Sequence, residues 1–151
     1  MRQPYGYSLI ELVIIIAVLG IMSIAVSMCQ PSGVQQAFQA EGFARVFLQD
    51  LQLTKVLAMS QNQRYRLVVG TNSYQIQNQN GTPVTHPGTG GSSVPYPAGV
   101  SIAPLTTVMF DSLGQPYNNA GVPLGSTLSF TITSGSEASS VSVVPQTGLI
   151  Q

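Results

Sequence analysis

From Leu12 to Cys29 the chain runs 18 residues without a charge, and ten of them are Leu, Ile or Val. At about −0.3 to −0.6 kcal/mol each, those ten favour insertion into a bilayer by roughly 3 to 6 kcal/mol. As a helix the run is about 27 Å long, close to the ~30 Å hydrocarbon core of a membrane. One charge abuts it: from Tyr7 to Ala40, Glu11 is the only charged residue. The rest of the composition agrees with a chain that spends its life in a membrane or an assembly. Only 7% of the 151 residues are charged, five basic and five acidic, against roughly 25% in ordinary soluble domains. With no basic excess, bulk attraction to nucleic acid is not expected. The single cysteine, Cys29, cannot form an intramolecular disulfide, so cysteine usage says nothing about redox compartment.

Pro31 and Gly33 interrupt the helical pattern after the apolar run, and a kink or melted turn is expected there. Helical spacing resumes from Val34 to Ser60. Ala40, Ala44, Phe47, Leu51 and Ala58 fall near one stripe, widened by Phe43, Leu48 and Leu57, with Gln49, Asp50, Gln52 and Lys55 mostly off it. Beyond Ser60 the period changes to two. Arg64–Val69 and Ser73–Gln77 read as a hairpin around Gly70-Thr71-Asn72. Further strands are expected near Val100–Ala103, Thr107–Asp111, Thr127–Thr133 and Ser140–Val144, while Asn80–Gly99 reads as a Gly/Pro/Ser/Thr-rich loop with almost no core-forming residues. The fold class expected is α+β: a long N-terminal helix, its first half apolar, its second half packed on an antiparallel sheet of about four to seven strands.

Residue chemistry leaves three readings of the N-terminal run: a removed secretory signal, a lipoprotein signal ending at Cys29, or a plain anchor. The first has only Arg2 as a basic flank, the second has the bulky Met28 where a small residue belongs, and the third leaves Glu11 unexplained. The stretch Gly6-Tyr7-Ser8-Leu9-Ile10-Glu11-Leu12-Val13, continued by apolar residues, resembles the class III signal sequence of type IV pilins and type II secretion pseudopilins. Tyr7 stands where that family usually has Phe. The resemblance implies a leader over 1–6, a transmembrane and filament-core helix over 7–30, an amphipathic helix over 31–60 and a β-rich pilin head over 61–151. It also implies cleavage between Gly6 and Tyr7 by a prepilin peptidase, N-methylation of Tyr7, and a role for Glu11 in subunit assembly. The partners implied are other pilin or pseudopilin subunits, the inner membrane and a pilus or secretion assembly platform. The head would then lie in the periplasm on a single-pass anchor, and enter a pilus or pseudopilus on assembly.

More loosely, Val108-Met-Phe-Asp-Ser-Leu-Gly-Gln-Pro116 and Val141-Ser-Val-Val-Pro-Gln-Thr-Gly-Leu-Ile150 are similar to minor pilins of the GspH/FimT type and to MSHA-pilus minor pilins of the MshC kind. Phe110, Gly114 and Thr147-Gly148 read there as core and turn residues. The absence of paired C-terminal cysteines favours a minor pilin or pseudopilin over a major adhesive pilin. Some FimT-like relatives bind DNA through a C-terminal Gly-Arg-x-Arg motif, but the matching stretch here, Gly148-Leu149-Ile150-Gln151, has no arginine. Arg64 and Arg66 alternate across Tyr65 and are the nucleic-acid candidates that remain. Two cations make a weak phosphate contact, and a solvated strand face is the stronger reading. No catalytic residue, cofactor or metal site is expected. His86, the only histidine, sits in His-Pro-Gly-Thr-Gly-Gly with no acidic cluster near it in sequence. That glycine-rich stretch lacks the lysine and the following helix of a phosphate loop. Cys29 reads as a small packing residue.

Overall fold

A computed structural model describes residues 9–28 and 32–151. Two compact units divide the chain, residues 1–32 and 33–151. In the first, α1 spans Leu9–Met28 and carries Glu11 in its first turn. Every large apolar side chain described along it, from Leu9 to Met22, is exposed. Among the described residues, taken alone, no helix is long and apolar enough to cross a membrane. Gly6, Tyr7, Cys29 and Pro31 lie outside the described residues, so the cleavage site, the cysteine and the proline break do too.

The second unit is a helix on two antiparallel sheets. Helix α2, Ser32–Gln61, ends within a residue of the polar run at Ser60. Its inner stripe is the one the spacing predicts: Ala40, Phe43, Ala44, Phe47, Leu51 and Ala58 are buried, with Leu48 and Leu57 half-buried beside them. The strands are β1 Tyr65–Val69, β2 Ser73–Asn78, β3 Val94–Pro95, β4 Val100–Ala103, β5 Thr107–Phe110, β6 Pro116–Tyr117, β7 Leu128–Ser134 and β8 Glu137–Val143. They form a five-stranded sheet in the order β3-β2-β1-β5-β6 and a three-stranded sheet in the order β4-β7-β8. Alternation sets each inner face: Tyr65, Leu67 and Val69 of β1 are buried between half-exposed Arg66 and Val68. Phe47 of α2 stacks edge-on against Tyr74 of β2 at 5.2 Å and against Phe130 of β7 at 5.1 Å, so one ring ties the helix to both sheets.

Three expectations need correction. The head has two sheets rather than one, because strands β4, β7 and β8 pair only among themselves. The stretch Asn80–Gly99 is not devoid of core: Val94 is buried, Tyr96 and Val84 pack against the core, and β3 lies within it. Asp50 is not on the solvent side of α2 but is 5% exposed. Its burial is tolerated because both carboxylate oxygens are bonded.

Candidate functional site

The most chemically loaded constellation of the head surrounds Asp50. Tyr74 donates its hydroxyl proton to Oδ2, and Oδ1 lies 2.7 Å from Nε2 of His86. The other ring nitrogen, Nδ1, is approached by the backbone N–H groups of Gly88 at 3.1 Å and Thr89 at 3.2 Å. Those groups can only donate, so Nδ1 accepts, and the ring proton sits on Nε2 and points at Asp50. The imidazole is therefore a neutral bridge between α2 and the turn from His86 to Gly91, which is closed by His86 N–H to the Gly91 carbonyl and Gly90 N–H to the His86 carbonyl, each 2.8 Å. Burial first, and the bond to Asp50 second, raise the pKa of the Tyr74 phenol far above its ordinary value. Burial pushes Tyr96 up to about 12. Each carboxylate oxygen of Asp50 and each ring nitrogen of His86 has a hydrogen-bond partner, and together they join α2 to β2 and to the loop before β3. Among the described residues no group of three or more His, Cys, Asp or Glu side chains could hold a metal ion.

Arg64 and Arg66 do come together, lining one recess of about 150 Å3 with Tyr65, Asn78, Gln79 and Met109. Neither stands free over it. The Arg64 guanidinium lies 4.9 Å from the ring centre of Tyr117. Arg66 packs on Gly81, and its buried Nε has no hydrogen-bond partner among the described residues.

The C-terminal turn is fastened to α2. Lys55 Nζ donates to the carbonyls of Thr147 and Gly148, each at 3.0 Å. Gly148 has φ +58°, and a Cβ there would lie 2.2 Å from the Gly114 carbonyl. Gly114, φ +79°, in turn packs on Lys55 and Met59. Phe110 is fully buried. Phe110, Gly114 and Thr147-Gly148 thus hold the positions in core and turns that their sequence context indicates.

Glu11 lies in the first turn of α1, exposed, in a helix whose described large apolar side chains, Leu9 to Met22, are exposed too. The helix N-terminus favours a carboxylate there by a few tenths to about 1 kcal/mol. What sequence reasoning missed is the Asp50–His86 bridge, whose partners are 36 residues apart. Its only signal is an aspartate beside an apolar stripe and a histidine ahead of a glycine-rich turn.

The prokaryotic N-terminal methylation motif matches residues 1–27. Among curated proteins none matches the sequence significantly. Among solved structures, the fold is similar to that of the minor pseudopilin EpsH from the type 2 secretion system of Vibrio cholerae, with 16% identity and a TM-score of 0.56 over 75% of this chain and 94% of that one. It is also similar to the type IV minor pilin FimU of Pseudomonas aeruginosa, with 16% identity and a TM-score of 0.51 over 74% and 86%. A second structure of the Vibrio cholerae protein gives 14% identity and a TM-score of 0.53 over 76% and 93%. At such identities the likeness is one of fold.

Proposed function

We propose that this chain, a type IV pilin and pseudopilin family member by its N-terminal motif and its fold, acts as a minor structural subunit of a type IV pilus or a type II secretion pseudopilus. The single observation that carries the reading is the junction of the two: residues 1–27 match the methylation motif, and a helix-on-sheets head of the minor-pilin type follows. In this reading a membrane peptidase cuts between Gly6 and Tyr7 on the cytoplasmic face and methylates the new amine of Tyr7. The uncharged run Leu12–Cys29 remains as the anchor, leaving the head in the periplasm.

Glu11 then has a physical task. A carboxylate within an apolar bundle is costly unless it meets a positive charge. The α-amine of Tyr7 on a neighbouring subunit supplies one and sets the axial register as the subunit docks. The exposed apolar side chains described along α1, Leu9 to Met22, support this reading, since such a surface needs lipid or other helices to cover it.

Whether the filament is MSHA-like or secretory is a finer matter, and gene neighbours would separate the two. A DNA-receptor role is the second reading. What favours it is the shared recess of Arg64 and Arg66. Against it stand the Tyr117 ring under one guanidinium and the uncharged C-terminal stretch. The test of the main reading is immunoblotting of sheared filaments against membranes in the native host. The chain is expected in the sheared fraction. Its confinement to membranes in cells that make filaments would overturn the assignment.

A further inference from the structure

We propose that the recess between Arg64 and Arg66, on the outer face of the five-stranded sheet, is a binding site for a single carboxylate on a short apolar stem, the chemistry of an acidic side chain or a small organic acid.

Alternation along β1 turns Tyr65, Leu67 and Val69 into the core and leaves Arg66 on the opposite face. There Arg66 stands in register with Met109 of β5 on one side and Gln77 of β2 on the other, and Met109 stands in register with Tyr117 of β6. Arg64, just before β1, lays its guanidinium over the Tyr117 ring. Both cations therefore reach the same recess, with Asn78, Gln79 and Met109 beside them.

The recess has an excess of donors. Among the described residues the ion pairs are Arg45 with Glu41 and His86 with Asp50, so neither of these arginines meets a carboxylate. Asp111 lines an adjoining hollow together with Arg64. Its Oδ1 accepts the N–H groups of Leu113 and Gln115, and its Oδ2 accepts the Tyr117 hydroxyl, so it is engaged by its own turn. Asn78 Oδ1 is likewise taken, by the N–H groups of Asn80 at 3.0 Å and Thr82 at 2.9 Å. That side chain has only its amide hydrogens left to offer. Arg66 Nε is buried and has no acceptor among the described residues. Two cations held side by side without an anion, one of them with an orphaned buried donor, point to an anion supplied from outside.

Size and lining choose that anion. A recess of about 150 Å3 takes a molecule as large as benzene. That is room for a carboxylate and a short carbon chain, and too little to enclose a nucleotide. Planar guanidinium groups pair with a carboxylate through parallel hydrogen bonds, and Met109 gives the stem an apolar wall. A run of phosphates is disfavoured, because the adjoining hollow presents the Asp111 carboxylate to the next one. Both cations are fixed beforehand, Arg64 on the Tyr117 ring and Arg66 against Gly81, where a Cβ would lie 2.9 Å from Nη2. Little side-chain ordering therefore remains to be done on binding.

The site needs no filament, so its failure would leave the assembly reading untouched. The full chain in uncharged detergent micelles is titrated with the capped peptide Gly-Gly-Glu-Gly-Gly, and separately with butyrate, while the arginine Nε–H signals are followed by NMR. Those of Arg64 and Arg66 should shift together and saturate, with that of Arg45 unmoved. The peptide with Gln for Glu should have no effect. Arg64 is exposed, so Arg64→Gln keeps the fold and should weaken binding several-fold. Tighter binding of the peptide than of butyrate makes a protein side chain the source, and the reverse makes it a free acid. No saturable shift, or an equal response to the Gln peptide, overturns the proposal. Tighter binding of inorganic phosphate or a single-stranded oligonucleotide than of either acid overturns it too, by making the recess a phosphate site.

Discussion

Asp50 of α2 and His86 of the loop before β3 meet at 2.7 Å, and the ring that joins them is itself held by two backbone N–H groups of its own turn. The pair does for this loop what apolar packing does elsewhere in the head. His86→Ala strands the Asp50 carboxylate with only Tyr74 for company, and a buried group left unsatisfied costs about 1–3 kcal/mol. Chemical denaturation should show a loss of that size, with faster amide exchange confined to residues 86–91. An unchanged midpoint and unchanged exchange would mean the bridge is dispensable.

Two glycine substitutions separate strain from simple loss of flexibility. Gly148→Ala places a Cβ 2.2 Å from the Gly114 carbonyl at φ +58°. It should destabilise the head by more than about 1 kcal/mol. Gly125→Ala meets nothing within 4 Å and has no positive φ, so its effect should stay within about 0.5 kcal/mol. Thermal melts of the two variants side by side measure the difference.

Tyr74 and Tyr96 make the head sensitive to alkali. Both phenols have their pKa raised above 10.0 by burial, Tyr96 to about 12 and Tyr74 further still. From pH 10 upward the unfolded chain releases protons that the folded chain keeps. Stability is therefore intact below pH 10 and falls as pH rises, for Tyr96 between about 10 and 12. Phenolate absorbance and circular dichroism should change together in that range. Titration of both rings at pH 10 with the fold retained would contradict their burial.

The secondary structure of the head was largely legible because its signals are local. The hairpin around Gly70–Asn72 and strand β4 stand where the alternation puts them, and the buried stripe of α2 follows its spacing. Strands β3 and β6 were not legible, since two residues with a proline carry no periodicity. The split into two sheets was hidden for another reason: which strands pair is a long-range matter that local alternation does not carry. The Asp50–His86 bridge was invisible because a polar side chain beside an apolar stripe reads as solvent-facing until its partner arrives from 36 residues away.

Glu11→Ala tests the assembly role separately from anchoring. Removing a charge next to the apolar run leaves membrane insertion intact. In the filament core it would leave the Tyr7 amine unpaired, at a cost on the order of 3 to 5 kcal/mol, or roughly a hundredfold or more in the docking equilibrium. The variant should accumulate in membranes, and Glu11→Asp, with a shorter arm, should be intermediate. Fractionation with immunoblotting decides it, and normal incorporation of Glu11→Ala would assign the carboxylate to the headgroup region instead.

The central claim, that this is a processed filament subunit with its apolar helix retained, is tested most directly by the mass of the mature N terminus. Intact-protein mass spectrometry of the membrane-extracted chain should find it beginning at Tyr7 with one methyl group on the α-amine, and still carrying the residues before Tyr7 in cells lacking the prepilin peptidase. A mature chain beginning near Met28 or Cys29 would show that the apolar run is an ordinary or lipoprotein signal, and would contradict the account.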